Sequence, residues 1–158
     1  MNQIFVMKSI AVMALTVVAL PSQAATSTQI QHCPSLSDFK EADEDFRKPL
    51  VGTEGEWRAI KRKGAPITRF VEALAITDGS GVRFQKCTYQ MSGGAPLDVH
   101  YAPGSDEFKG RFVKLPLDQP APWIKEDGPW GLIAYVCKGE NHAPEKCTFT
   151  PDKALPDF

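Results

Sequence analysis

Three histidines, His32, His100 and His142, are the imidazoles of this 158-residue chain, so a histidine general base has to be one of them. A nucleophile would have to sit within hydrogen-bond reach of such a base. Ser80 stands in Asp78-Gly79-Ser80-Gly81, but the full Gly-x-Ser-x-Gly spacing is absent and the flanks read as a hairpin, so Ser80 is expected to be a turn residue. His142 and Cys147 lie five residues apart, short of the three or four convergent ligands that a metal needs, and no HExxH, paired CxxC or EF-hand loop occurs. No metal and no cofactor is therefore expected. Asp43-Glu44-Asp45 and Asp106-Glu107 are too hydrophilic to form the facing carboxyl pair of glycosidic chemistry, and they read as wet surface. On these grounds no catalytic residue is expected.

Two groups suit recognition better. Arg58, Lys61, Arg62 and Lys63, with Arg69 nearby, could meet an anionic lipid or an acidic partner, or could simply keep a hairpin end soluble. Trp123 and Trp130 lie in PAPWIKEDGPWG, where proline-flanked indoles can stack on sugars or anchor an interface, or else cap the end of a β core. Eighteen basic against nineteen acidic residues give a net charge of −1, which argues against a nucleic-acid partner.

These groups need a scaffold, and the start of the chain says where it forms. Lys8 precedes an eleven-residue apolar run, Ile10 to Leu20, which Pro21 breaks before Ser22-Gln23-Ala24. Residues 1–24 thus read as a secretory signal, since the run is too short for a bilayer core that needs roughly 20 residues. No later stretch is apolar enough to span a membrane, so the mature part is expected to be periplasmic or secreted. Cys33, Cys87, Cys137 and Cys147 all lie in that part, and an even count in an exported chain implies two disulfides. Three pairings are open. The expected one joins Cys137 to Cys147 around the polar loop between two strand-like segments, and Cys33 to Cys87.

Residues 25–32 are polar and are expected to be mobile. Leu36, Phe39, Ala42 and Phe46 recur at spacings of three and four, which predicts a short helix that Pro49 stops. Strands are expected over Glu56–Arg62, Arg69–Ile76, Gly81–Met91, Leu97–Ala102, Phe108–Leu115, Trp130–Cys137 and Lys146–Thr150, separated by Gly/Pro/Asp/Ser turns. In Arg69–Ile76 simple alternation sends Phe70, Leu74 and Ile76 to one face and Val71, Ala73 and Ala75 to the other. Leu97, Val99 and Tyr101 should point inward, Asp98 and His100 outward. Thirteen prolines and twelve glycines without period exclude collagen and long helices. The expectation is a mainly β, single antiparallel sandwich or small barrel over residues 33–150, with one short N-terminal helix and a loose tail at 151–158.

Cys33-Pro34, Trp57, Phe70 with Ala73, Cys87-Thr88-Tyr89 and the Cys137/Cys147 pair together resemble the small exported, disulfide-bonded β proteins of unknown function found in gammaproteobacterial pathogens. The resemblance implies a periplasmic or secreted location and no catalytic residue. The functional expectation is an exported, non-enzymatic binding protein acting at the bacterial envelope or on a host molecule. Its partner would be a protein or a glycan or lipid surface, met through Trp123, Trp130, Arg58, Lys61, Arg62 and Lys63. A periplasmic inhibitor or immunity protein, plugging an envelope hydrolase with the loop Gly139 to Lys146, is the alternative; a small hydrolase is the third.

Overall fold

The described residues form ten strands: β1 (Gln31–His32), β2 (Asp45–Pro49), β3 (Gly55–Ile60), β4 (Ile67–Thr77), β5 (Val82–Met91), β6 (Pro96–Pro103), β7 (Val113–Lys114), β8 (Trp123–Asp127), β9 (Ile133–Lys138) and β10 (Thr148–Pro151). They are taken from a computed structural model that describes residues 29–40, 45–60, 65–104, 111–118 and 120–152. The expected leader 1–24, Asp43, Glu44, Lys61, Arg62, Lys63, Asp106, Glu107 and 153–158 lie outside the described residues.

Seven strands form one antiparallel sheet in the order β2-β3-β6-β5-β4-β9-β8, and three form a second in the order β1-β10-β7. The class is mainly β, and the large sheet does not close into a barrel. Its centre is the hairpin of β4 and β5, the two longest strands. Asp78 shapes the turn between them: its carboxylate accepts hydrogen bonds from the Ser80 amide at 3.0 Å and from Arg83 at 2.5 Å. At the next turn the Met91 amide donates to the Ala95 carbonyl, and Gly93 and Gly94 both take φ near +87°, open to glycine and strained for other residues.

The small sheet lies over the inner face of the large one, and aromatic rings fill the space between. Phe84 (β5) stacks on Phe149 (β10) at 4.1 Å and meets Trp57, Tyr101 and Trp123 edge-on at 5.6, 5.8 and 6.1 Å. A second cluster joins Phe39 to Phe46 at 4.3 Å and Tyr89 to Phe39 and Phe70. Between the clusters Cys87 is bonded to Cys33, and at the other side Cys137 on β9 is bonded to Cys147 just before β10. Both expected pairings are present, and each fastens the covering layer to the large sheet. The Tyr89 hydroxyl donates to the Pro34 carbonyl across the same gap. Burial raises the Tyr89 phenol above its usual range, with Asp38 and Glu145 adding to the effect, so it stays a neutral donor.

Several local expectations are corrected. Of the expected N-terminal helix, Leu36–Phe39 form a 3-10 turn and Phe46 lies on a strand, while Ala42 lies outside the described residues. Asp38 accepts from the Ser35 amide at 2.7 Å and from Lys48 at 2.6 Å, which closes the turn against β2 instead of extending it. Gln31 belongs to the folded part: its side chain donates to the Val51 carbonyl at 2.7 Å and accepts from the Val51 amide. β8 emerges from the proline-rich stretch. β9 begins at Ile133, because Pro129–Gly131 forms a 3-10 turn. β10 runs to Pro151, and the Asp152 amide donates to the Phe112 carbonyl, so residues 151 and 152 of the expected tail belong to the folded part.

The alternation along β4 is also corrected. Between Phe70 and Glu72 the pairing with β5 skips one β4 residue, Val71, while at Leu74/Ala75 the skipped residue is Gln85 on β5, so only the first shift changes the alternation of β4 beyond Phe70. An inserted residue reverses the facing of whatever follows. Phe70, Ala73 and Ala75 are therefore all buried in the core, while Leu74 and Ile76 turn to the opposite, outer face. On β6 the expected alternation holds, with Leu97, Val99 and Tyr101 buried.

Candidate functional site

Of the groups with chemical potential, most are engaged in the scaffold. Ser80 hydrogen-bonds its own turn through Asp78. Cys147 is disulfide-bonded, and His142 sits in the loop that the bond closes. His32 Nδ1 lies 2.8 Å from the Cys33 carbonyl. Among the described residues, no three His, Cys, Asp or Glu side chains converge as metal ligands.

The two tryptophans part company. Trp123 opens β8 pointing inward: it is 4% exposed, and its indole N–H donates to the Thr148 carbonyl at 2.9 Å. Its expected place on a contact surface is corrected; it is a core residue that ties β8 to β10. Trp130 is 94% exposed. Its backbone takes φ 57° and ψ 31°, the left-handed region that a bulky side chain avoids. The Gly128 amide donates to the Leu132 carbonyl and the Leu132 amide to the Pro129 carbonyl, so the strained residue is held inside a closed turn. Strain of this kind, of order 1–3 kcal/mol, is found where function over-determines a conformation.

Trp130 overhangs the outer face of the large sheet. Strand register places Arg47, Arg58, His100 and Lys86 directly opposite one another on β2, β3, β6 and β5. The same row continues as Leu74, Val136 and Ile124 on β4, β9 and β8. A basic half thus abuts an apolar half. At the boundary lies a hollow of about 360 Å³. Leu74, Ile76, Leu132 and Ala134 form its apolar wall, Pro129 and Trp130 its rim, and Lys86, His100 and Arg111 stand on the other side. His100 also lines a second hollow, where Arg47 and Arg58 stand with the carboxylates of Asp45 and Asp98. The structure therefore brings Arg58 and Trp130, of the expected contact residues, to one face. Lys86, Leu74 and Leu132 are not among the residues expected from sequence; Leu74 joins the face of Lys86 only through the irregular pairing of β4 with β5, which leaves no signal in composition.

Asp98 borders the basic row. Burial works to raise its pKa, but hydrogen bonds from Lys86 at 2.7 Å and Thr88 at 2.8 Å, together with the charges of Lys86 and His100, hold it below the usual carboxylate range. Asp38 is lowered in the same way against its own burial by Lys48 and Ser35. A depressed folded-state pKa adds stability that is present above the unfolded value, about 4, and lost as pH falls through the folded one. Thermal melts from pH 6 to pH 2 should therefore show a falling Tm. Asp98→Asn should lower Tm at pH 6 and flatten the acid decline; an unchanged slope would mean that Asp98 does not contribute.

Comparison with known proteins gives one finding. The family described as "Protein of unknown function (DUF3757)" matches residues 26–150. No curated protein and no solved structure matches the chain.

Proposed function

The chain belongs to the DUF3757 family, and from that premise we propose that it is an exported, non-enzymatic binding domain whose contact surface is the outer face of the large sheet. Trp130 carries this reading: a fully presented indole on a strained, closed turn is costly to keep and suited to contact. Arg58 shares that face, and Lys61, Arg62 and Lys63 follow within five residues of it in sequence. Two intramolecular disulfides are compatible with an oxidising compartment. The leader-like residues 1–24 and the resemblance to exported proteins of gammaproteobacterial pathogens support a periplasmic or secreted site of action. Among the described residues, no helix is long and apolar enough to cross a membrane.

Disulfide-fastened layers hold the face rigid, which lowers the entropy lost on association. The inhibitor reading, with Gly139 to Lys146 as the inserting loop, has less support. That loop is held against the sheet, its Gly139 amide donating to the Val71 carbonyl at 2.7 Å and its Pro144 buried.

Affinity capture from envelope and host-cell extracts tests the proposal, with the oxidised wild-type chain and Trp130→Gly as baits. The variant should keep or raise Tm, because loss of left-handed strain of about 1 kcal/mol offsets the added freedom of glycine in the unfolded chain. It should also lose the partner. Equal recovery by both baits, or no partner for either, would refute the proposal.

A further inference from the structure

We infer that the chain associates with itself, the Trp130 indole of each copy entering the apolar hollow on the outer face of the other; the inference rests on the binding role proposed above and names a second copy as the occupant. Trp130 stands on the rim of that hollow, yet it is 94% exposed. Its left-handed turn, with φ 57°, carries the indole into solvent instead of folding it over Leu74, Ile76, Leu132 and Ala134. Leu74, Ile76 and Leu132 are themselves only half-buried. An unburied aromatic side chain and an unfilled apolar wall thus lie beside each other on one face, and removing both from water is favourable.

The other side of the hollow selects an uncharged guest. Lys86 is already paired with Asp98 at 2.7 Å, and the Gln85 amide already donates to the Arg83 carbonyl at 3.3 Å. Gln85 keeps its side-chain oxygen, which can accept from an indole N–H. An apolar cavity of roughly 150 Å³ holds benzene, so a hollow of about 360 Å³ has room for the larger indole. A two-fold axis lying in the face, midway between indole and hollow, brings the indole of each copy onto the hollow of the other. A projection beside a recess is therefore self-complementary, and both contacts form together. At roughly 150–250 Å² for each aromatic surface, two indoles and the walls they cover remove on the order of 900 Å² from water. Pro129 on each rim brings the total near the ~1,000 Å² that a specific interface needs. The dimer should therefore be weak, half-formed at roughly 10–100 µM.

Sedimentation equilibrium of the oxidised chain through and above that range is the test. Trp130→Gly, Leu74→Lys and an equimolar mixture of the two are run beside the wild type, with the Tm of each variant checked. Wild type should show a reversible monomer–dimer equilibrium, with tryptophan emission moving to the blue as the dimer forms. Each variant alone should dimerise at least a hundredfold more weakly, the first lacking the projection and the second having a blocked recess. The mixture should recover to about tenfold weaker than wild type, because one indole again meets one open hollow. Indoles that stacked on each other would give the opposite pattern, with Leu74→Lys dimerising and the mixture gaining nothing. A monomeric wild type, dimerisation of either variant as strong as wild type, or a mixture no stronger than its components would each overturn the inference. If the wild type is monomeric while Trp130→Gly still loses its captured partner, only the second copy falls as the occupant. If Trp130→Gly also captures as wild type does, the binding face falls with it.

Discussion

Replacing both Cys33 and Cys87 by alanine should lower the unfolding free energy by about 4 kcal/mol, against about 3 kcal/mol for the Cys137/Cys147 pair. The difference comes from loop size: the bonds close sequence separations of 54 and 10 residues, and the longer loop restricts the unfolded chain more. All four sulfurs are fully buried, so each loss also removes packed atoms at the junction of the two layers. Domains of this kind are stable by 5–15 kcal/mol, so the first double variant should lose a large fraction of the total. Urea titration followed by tryptophan fluorescence reads both effects. A smaller loss for the long loop than for the short one would show that strain or packing, and not unfolded-state entropy, governs these bonds.

The same bonds explain how much of the structure was readable beforehand. Cysteine parity pointed to two bonds and left three pairings open, of which the favoured one is present, and strict alternation in Leu97-Asp98-Val99-His100-Tyr101 matches the facing of β6. Phe39 and Phe46 do touch, at 4.3 Å, so the seven-residue interval was a true signal of contact. It was misread as a helical period because a 3-10 turn followed by a strand can bring the same two rings together. β4 failed differently. The extra residue at Val71 has no place in a period of two, so simple alternation groups Leu74 and Ile76 with Phe70 although the fold sets them on opposite faces. The candidate site inherits that failure. Arg58 and Trp130 were visible as residue types, but their union with Lys86 and Leu74 exists only through cross-strand register.

On the proposed reading, rigidity and recognition fall to opposite faces of one sheet. The inner face carries the rings and the sulfurs, while the outer carries the charge row, the apolar strip and the single strained indole. Substitutions should divide accordingly: inner-face changes should be read in stability, outer-face changes in binding.

Trp123→Ala is the sharpest case of that division, because Trp123 and Trp130 lie in the same short segment and look alike in sequence. Its loss should cost 3–5 kcal/mol, the usual range for removing a large buried aromatic side chain. The ring meets Phe84 edge-on at 6.1 Å, and its N–H serves the Thr148 carbonyl, which would be left without that donor where β10 passes beneath. Trp123→Phe should recover most of the packing but not the hydrogen bond, and so fall between the two. Urea unfolding of the three forms beside Trp130→Gly checks the assignment. A loss under 1 kcal/mol for Trp123→Ala would mean that the indole contributes little to the core; a loss in the expected range, with Trp130→Gly at or above wild type, leaves the exposed indole as the residue kept for contact.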